Sequence, residues 1–179
     1  MAGIKIERVW AMPNRNTFSI KPIKELISRY MDGGVWLDPF SRCSPFASLC
    51  VTNDLDPSVE ADYHMEALDF LKTQGNNTAD GVLFDPPYSP RQISECYKNV
   101  GRTVHAEDTQ TSFYSKRKQE AARTLKLGGR AITFGWNTNG FGASIGFELV
   151  EVLVVAHGSA HNDTLCTVEI KMKENAWRA

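Results

Sequence analysis

The sequence has no apolar run that approaches the roughly 20 residues of a membrane-spanning helix. Its first residues also lack the apolar core of a signal peptide and a lipidation motif, so we expect a cytoplasmic protein that makes no membrane contact. The sequence has four cysteines and no Cys-x-x-Cys pair, which argues against a disulfide framework or a metal site. They are Cys43, Cys50, Cys96 and Cys166. No Gly-x-Gly-x-x-Gly follows the first predicted strand, which argues against an NAD-dependent oxidoreductase.

What the chain does have suits a single globular unit. Its 179 residues are 42% hydrophobic, and neither a repeat nor a long linker divides them, so we expect one domain over residues 1–179. The net charge of −1 is unevenly distributed: residues 91–130 hold nine Lys and Arg against four acidic residues, which leaves −6 for the remainder. Such a basic segment is either a phosphate-binding face or an ordinary solvated helix.

Hydrophobic spacing predicts helices and strands in alternation. Helical periodicity predicts helices within residues 18–31, 65–71 and 113–127. Short apolar runs predict strands at 35–38, 48–55, 81–84, 131–136, 147–156 and 165–172. The last two strands are joined by too few residues for a crossover helix. We therefore expect a mostly parallel α/β sheet that ends in an antiparallel C-terminal hairpin.

Polar residues stand at the ends of three predicted strands. Asp38 ends the first, Asn53 and Asp54 end the second, and Asp85 follows the third. Ligands of parallel sheets bind outside the carboxyl ends of the strands. The sequence therefore predicts a site at this edge.

The strongest chemical signal is Asp85-Pro86-Pro87-Tyr88, directly after a buried strand. Two prolines fix φ and remove two backbone donors, which makes the turn stiff and leaves its carbonyls free to accept hydrogen bonds. An aryl amine is a poor nucleophile, and a carboxylate with a neighbouring carbonyl could accept its two N–H groups and stabilise developing positive charge. Tyr88 could stack on an extruded base. The alternative to a catalytic role is a rigid structural turn in which Asp85 caps a helix.

At these residues the chain resembles the adenine-N6 DNA methyltransferases, specifically a small, phage-like form without a separate target-recognition domain. The resemblance rests on four segments in the family's order, within about residues 17–136: 21–27, 35–40, 53–56 and 66–71 together with the catalytic turn 85–88. It implies a Rossmann-like methyltransferase fold with a seven-stranded sheet, S-adenosylmethionine as cofactor, and methylation of the exocyclic amino group of adenine.

The resemblance also implies residue roles. The catalytic residues would be Asp85, Pro86, Pro87 and Tyr88. The cofactor would be bound by Phe18, Ser19, Lys21, Asp38, Pro39, Phe40, Ser41, Asp54, Leu55 and Glu66. One departure stands out: where the family has glycines after Asp-Pro-Phe, this chain has residues 41–45 without glycine. Either this loop takes another path, with Ser41 or Arg42 meeting the methionine carboxylate, or cofactor binding is weak.

The basic segment supplies the expected contacts to nucleic acid, from Arg91, Lys98, Arg102, Lys116, Arg117 and Lys118. Residues 89–112 form the candidate target-recognition loop, which is short, so specificity would be loose or supplied by a partner subunit or a homodimer. No metal is expected. The alternatives are an RNA base amino-methyltransferase and a non-catalytic subunit that binds nucleic acid or cofactor.

Overall fold

The computed structural model describes residues 3–105, 110–158 and 161–174. Its helices are α1 (Lys21–Tyr30), α2 (Ala67–Thr73), α3 (Pro90–Asn99) and α4 (Thr111–Thr124). Its strands are β1 (Lys5–Trp10), β2 (Trp36–Asp38), β3 (Cys50–Thr52), β4 (Ala79–Phe84), β5 (Leu125–Gly135), β6 (Phe147–Ala156) and β7 (Thr164–Lys171). Within the described residues, no helix has the length and apolar character that crossing a membrane requires.

The strands form one seven-stranded sheet in the order β1-β6-β7-β5-β4-β2-β3. Every neighbouring pair is parallel except β5–β7 and β6–β7, so β7 alone runs against the others. The expected α/β class, the mostly parallel sheet and the antiparallel C-terminal hairpin are confirmed. The seven strands that the resemblance implies are confirmed as well. The short apolar runs predict six of them and not β1, because three of its six residues are charged and it lies at the sheet edge.

Helices cover both faces of the sheet, and the alternation of side chains along each strand separates two cores. In β4, Leu83 faces a core that includes Ile23, Leu26 and Ile27 of α1. Its neighbours Val82 and Phe84 face a core built with α2 and α4. Burial on both faces is why the central strands read as continuous apolar runs.

A close approach between β2 and β4 depends on a glycine. Trp36 is paired with Gly81 in the parallel register, and its ring lies over that residue. A Cβ at Gly81 would lie 2.4 Å from the indole, so only glycine fits there. This packing holds β2 and β4 in place, and with them the candidate site residues Asp38, which ends β2, and Asp85, which directly follows β4.

Three element boundaries differ from the sequence expectation. Residues 90–99 of the predicted loop form α3, because Pro90 stands at the start of the helix and the Ser89 hydroxyl accepts a hydrogen bond from the amide of Gln92. Helix α4 ends at Thr124, and β5 continues through Gly128 and Gly129, where the register with β4 shifts. Strand β3 is only three residues long, since residues 47–49 form a 3-10 turn.

Candidate active site

A cavity of about 1090 Å³ lies at the carboxyl edge of the sheet. It is lined by the turn Asp85-Pro86-Pro87-Tyr88, which we call the proline corner, by the loops after β2 and β3, and by residues 13–18. Helix α3 also contributes to the lining, through Ile93, Cys96 and Tyr97. The volume is that of a site for a cofactor-sized molecule. The cavity thus lies at the edge of the sheet where the sequence predicts a site.

The proline corner is held rigidly on both sides. The hydroxyl of Tyr88 donates a hydrogen bond to Asp85, and the amide of Tyr88 donates to Gln92 Oε1 at 2.6 Å. The hydroxyl of Tyr114 donates to the carbonyl of Pro87 at 2.7 Å. The carbonyl of Pro86 receives no hydrogen bond from the described residues, so it remains available as an acceptor beside Asp85.

Burial shapes the electrostatics of this corner. It raises the pKa of Asp85 above its usual value, while hydrogen bonds from Tyr88 and Thr17 and the charge of Arg42 oppose the shift. Burial and the nearby carboxylate raise the pKa of Tyr88 well above its usual range. Tyr88 therefore acts as a neutral hydrogen-bond donor.

Asp38 and Ser41 carry buried polar atoms without a partner among the described residues. Asp38 is fully buried; its Oδ1 accepts a weak bond from the amide of Phe40 at 3.3 Å, and its Oδ2 has no partner. Ser41 Oγ is likewise unpartnered. Burial, with help from the nearby Asp85 and Asp54 charges, raises the pKa of Asp38 to about 8. Unsatisfied buried polar atoms are costly, and the Ser41 hydroxyl lines the cavity, where a ligand would satisfy it.

The loop after β2 takes a path that its sequence does not favour. Arg42 adopts a φ of 43°, in the left-handed region, and its amide donates to Asp54 Oδ2 at 2.9 Å. The other oxygen of Asp54 accepts from the amide of Asp56 at 2.8 Å. The loop therefore bends as a glycine would allow, and it places the side chain of Ser41 in the cavity wall.

Glu66 lines the far end of the cavity and is already engaged. It accepts hydrogen bonds from the hydroxyl of Tyr97 and from the guanidinium of Arg117, which also lies 3.4 Å above the ring of Phe113. This cluster ties α2, α3 and α4 together. Glu66 thus holds the wall of the cavity together, whatever else it binds.

The predicted cofactor residues divide into three groups by position. Seven line the cavity: Phe18, Pro39, Phe40, Ser41, Asp54, Leu55 and Glu66. Asp38 is fully buried and is not part of the lining. Ser19 and Lys21 are not part of the lining; Lys21 is 87% exposed beside Glu25, and Ser19 bonds the carbonyl of Asn16.

The basic residues are less uniform than their spacing indicates. Arg91, Lys98, Arg102 and Lys116 are exposed. Arg117 is buried, so it does not belong to an exposed basic face, contrary to expectation. Lys118 is partly buried and donates to the carbonyl of Gly140, and burial lowers its pKa. Of the candidate recognition loop 89–112, residues 106–109 lie outside the described part.

One part of the cavity wall consists of residues that no sequence pattern described above predicts to lie together. Residues 13–16, which follow β1, line the cavity together with Trp136, His157, His161, Asn162 and Thr164. These positions are distant in sequence, and strand pairing brings them together.

Neither a protein-family model nor a curated protein sequence matches this chain. Solved structures do match it. TrmN from Thermus thermophilus is 15% identical with a TM-score of 0.57, and the match covers 88% of this chain and 50% of TrmN. This chain therefore spans half of that relative. The chain has a Rossmann-like methyltransferase fold.

Two further methyltransferase-fold structures cover more of their own length. The 1,6-didemethyltoxoflavin-N1-methyltransferase of Burkholderia thailandensis, solved with its substrate and S-adenosylhomocysteine, is 13% identical with a TM-score of 0.56 over 84% of this chain and 76% of its own. The N-methyltransferase NodS of Bradyrhizobium japonicum is 12% identical with a TM-score of 0.57 over 86% and 96%. At these identities the likeness concerns the fold.

Proposed function

We propose that this protein transfers a methyl group from S-adenosylmethionine to the exocyclic amino nitrogen of adenine in DNA. The observation that carries the proposal is that the Asp85-to-Tyr88 corner lines the same cavity as Ser41, whose buried hydroxyl oxygen has no partner among the described residues. The Ser41 hydroxyl and the carboxylates of Asp54 and Glu66 suit a molecule that carries hydrogen-bond donors, and the corner suits an amine.

The donor set supports a cofactor with an amino-acid end and a nucleoside end. The Ser41 hydroxyl would accept from an α-ammonium group, and Asp38, buried next to Pro39 and Phe40 of the lining, would favour that group through its negative charge. Asp54, at the end of β3, would accept from ribose hydroxyls, and Leu55 would pack against an adenine ring. When bound, S-adenosylmethionine supplies a methyl group on a positively charged sulfur. A relative of the same fold binds S-adenosylhomocysteine.

The corner residues would make the amine reactive. Asp85 and the free carbonyl of Pro86 would each accept one N–H of the amino group, which draws electron density toward the nitrogen and stabilises its developing positive charge. The two prolines add no competing donors. Because Tyr88 and Tyr114 lock the corner, the two acceptors keep their spacing without reorganisation when the amine arrives.

Exposed basic residues support a polyanionic substrate. Arg91 and Lys98 lie on α3, which covers the cavity, and Arg102 follows that helix. They would neutralise phosphates beside a base that has been turned into the cavity. The same arrangement would serve RNA, and the test below separates the two.

The experiment offers the protein labelled S-adenosylmethionine with separate DNA and RNA pools and identifies the modified nucleoside. We expect N6-methyladenine in DNA, and none with Asp85→Ala. Label in RNA alone would replace the DNA assignment with an RNA base amino-methyltransferase. Calorimetry that shows nucleic-acid binding without cofactor binding would replace it with a non-catalytic subunit.

A further inference from the structure

The carboxyl edge of the sheet has two halves of different chemistry. The half formed by β2, β3 and β4 ends in carboxylates and belongs to the site described above. On the other half, Gly135 of β5 pairs with Leu165 of β7, so Trp136 follows beside Thr164. Val155 of β6 pairs with Thr164. Trp136 follows β5, His157 follows β6, and Thr164 begins the antiparallel β7 between them, so the three residues lie at the same edge of adjacent strands spaced about 4.8 Å apart.

His157 fixes this second half. Its Nδ1 lies 2.8 Å from the carbonyl of Ala11, and its Nε2 lies 2.8 Å from Thr164 Oγ1. Since a carbonyl can only accept, Nδ1 carries the proton, and in the neutral ring Nε2 accepts from the threonine hydroxyl. This buried imidazole joins the chain after β1 to the start of β7. The wall is therefore rigid although it is built from segments distant in sequence.

Trp136 presents an aromatic surface to the cavity. Its side chain is 43% exposed although it follows a buried strand. Its ring meets the ring of Tyr88 edge-on, with centroids 5.7 Å apart. The hydroxyl of Tyr88 in turn donates to Asp85. The indole therefore contacts the proline corner directly, and one side chain, that of Tyr88, links it to the carboxylate that would hold the amine. A large exposed aromatic at this position is available for stacking.

Three amide side chains, those of Asn14, Asn16 and Asn162, line the same cavity as the indole. Asn14 and Asn16 lie in a tight turn in which the amide of Asn16 donates to Asn14 Oδ1 at 2.9 Å. The same segment brings Thr17 to Asp85, so it lies next to the corner. Asn162 lines the cavity from the β6–β7 side. Amides both donate and accept, which is the chemistry that reads the edge of a purine.

We propose that Trp136, together with Asn16, Asn162 and the His157–Thr164 wall, forms the pocket that selects the target base. Trp136 stacks on the ring of the extruded base, and the amides read its hydrogen-bonding edge. The pocket rests on the proposed function, since it places the exocyclic amine of that base at Asp85. The proposal assigns base selection to residues that follow β5 and β6, to the start of β7 and to residues 13–16 after β1. It does not assign base selection to the basic segment 91–130.

Stacking is tested by binding without catalysis. The probe is a short oligothymidine with one central adenine, compared with the same oligonucleotide carrying an abasic site there. Tryptophan fluorescence of the wild-type protein should be quenched more by the adenine probe. The extra quenching should vanish in Trp136→Phe and persist in Trp10→Phe, a control that removes a 65% exposed indole from outside the cavity. Equal quenching by both probes in the wild type, or extra quenching that survives Trp136→Phe, would overturn the pocket.

A second test of the base pocket measures the kinetics of methyl transfer. Trp136→Ala should lower kcat/KM for nucleic acid on the order of tenfold or more while leaving cofactor affinity unchanged, and Trp136→Phe should recover most of the loss because it retains an aromatic face. Trp10→Ala should match the wild type. If Trp136→Ala methylates as well as the wild type, the pocket is wrong and the proposed function stands. If the wild type shows the quenching but transfers no methyl group, the proposed function fails and the base pocket remains.

Discussion

The hydroxyl of Tyr88 donates a hydrogen bond to the carboxylate of Asp85, three residues earlier in the chain. The bond closes the proline corner on itself and aims both side chains at one cavity. Because Asp85 is the acceptor on which the proposed chemistry depends, this pair leads to the first two predictions.

Removing the Asp85 carboxylate should slow methyl transfer strongly while leaving cofactor binding largely intact. Asp85→Ala should lower kcat on the order of 10²- to 10³-fold, since one preorganised acceptor for the amine is lost. Asp85→Asn keeps one acceptor oxygen and should retain more activity. Single-turnover rates together with calorimetric titration of S-adenosylhomocysteine separate the two effects. Wild-type turnover in Asp85→Ala would contradict the role.

Tyr88→Phe should shift the pH profile of turnover. The hydrogen bond from Tyr88 lowers the pKa of Asp85, so its loss raises that pKa further. Asp85 accepts from the amine as a carboxylate, and the acid limb of kcat should therefore move to higher pH. Tyr114→Phe is the control, because it removes the bond to the Pro87 carbonyl and leaves Asp85 untouched. A limb that stays in place in Tyr88→Phe would refute the coupling.

Cofactor affinity should depend on the ionisation of Asp38. Its pKa of about 8 means that the carboxyl is largely protonated near pH 6 in the free protein. A bound ammonium group favours the ionised form, so affinity should increase with pH between about 6 and 7.5, by up to about tenfold per pH unit. Asp38→Asn should flatten this dependence. Calorimetry with S-adenosylhomocysteine in two buffers measures the proton released.

The same shift has a consequence for stability with a definite sign. The folded pKa of Asp38 lies above the unfolded value of 3.8, so the stability that it contributes is complete below that value. It is lost as the pH rises from about 4 to about 8. The difference in unfolding free energy between Asp38→Asn and the wild type should therefore increase across this range, as urea titrations would show. A constant difference would indicate an unperturbed carboxyl.

Arg42 should tolerate glycine better than alanine. Its φ of 43° is costly for a residue with a Cβ, by roughly 1–2 kcal/mol. Arg42→Gly should therefore be more stable than Arg42→Ala by about 1 kcal/mol in urea unfolding, since both variants lose the same charge. If alanine equals glycine, the loop adopts another conformation in solution.

The exposed basic residues should set the salt dependence of nucleic-acid binding. Charge reversal of Lys98 and Arg102 should weaken binding and reduce the slope of log K against log salt by about one unit for each lost phosphate contact. Lys72→Glu is a matched control on α2, with a side chain that is 57% exposed beside Asp69. Fluorescence anisotropy at several salt concentrations gives the slopes. A slope equal to that of the control would remove Lys98 and Arg102 from the binding surface.

Much of the site was predictable because its signals are local. A carboxylate directly after a buried strand must lie at the carboxyl edge of a parallel sheet, which places Asp38, Asp54 and Asp85 without any knowledge of long-range contacts. The two prolines define the corner by their own geometry. The alternation of strands and helices was enough for the α/β class and for the C-terminal hairpin.

The burial of individual side chains and the pairing of strands could not be predicted from local sequence in the same way. Arg117 stands between two lysines, yet its helical position turns it inward to Glu66, because side chains one residue apart on a helix point in different directions. Residues 90–99 form α3, although hydrophobic spacing predicts no helix there; the signal that marks it is local, since Ser89 and Pro90 are a typical helix start. Strand β1 was missed, since an edge strand with exposed polar residues carries little apolar pattern.

The amino-acid sequence alone thus determined the class of the sheet, the stiff corner at residues 85–88 and the polar strand ends, because each depends on residues adjacent in the chain. Only the tertiary structure decided that Trp136, His157 and the segment after β1 share one wall. That arrangement depends on pairing between strands more than 100 residues apart, as between Trp10 and Ala156, and no local pattern encodes such a register.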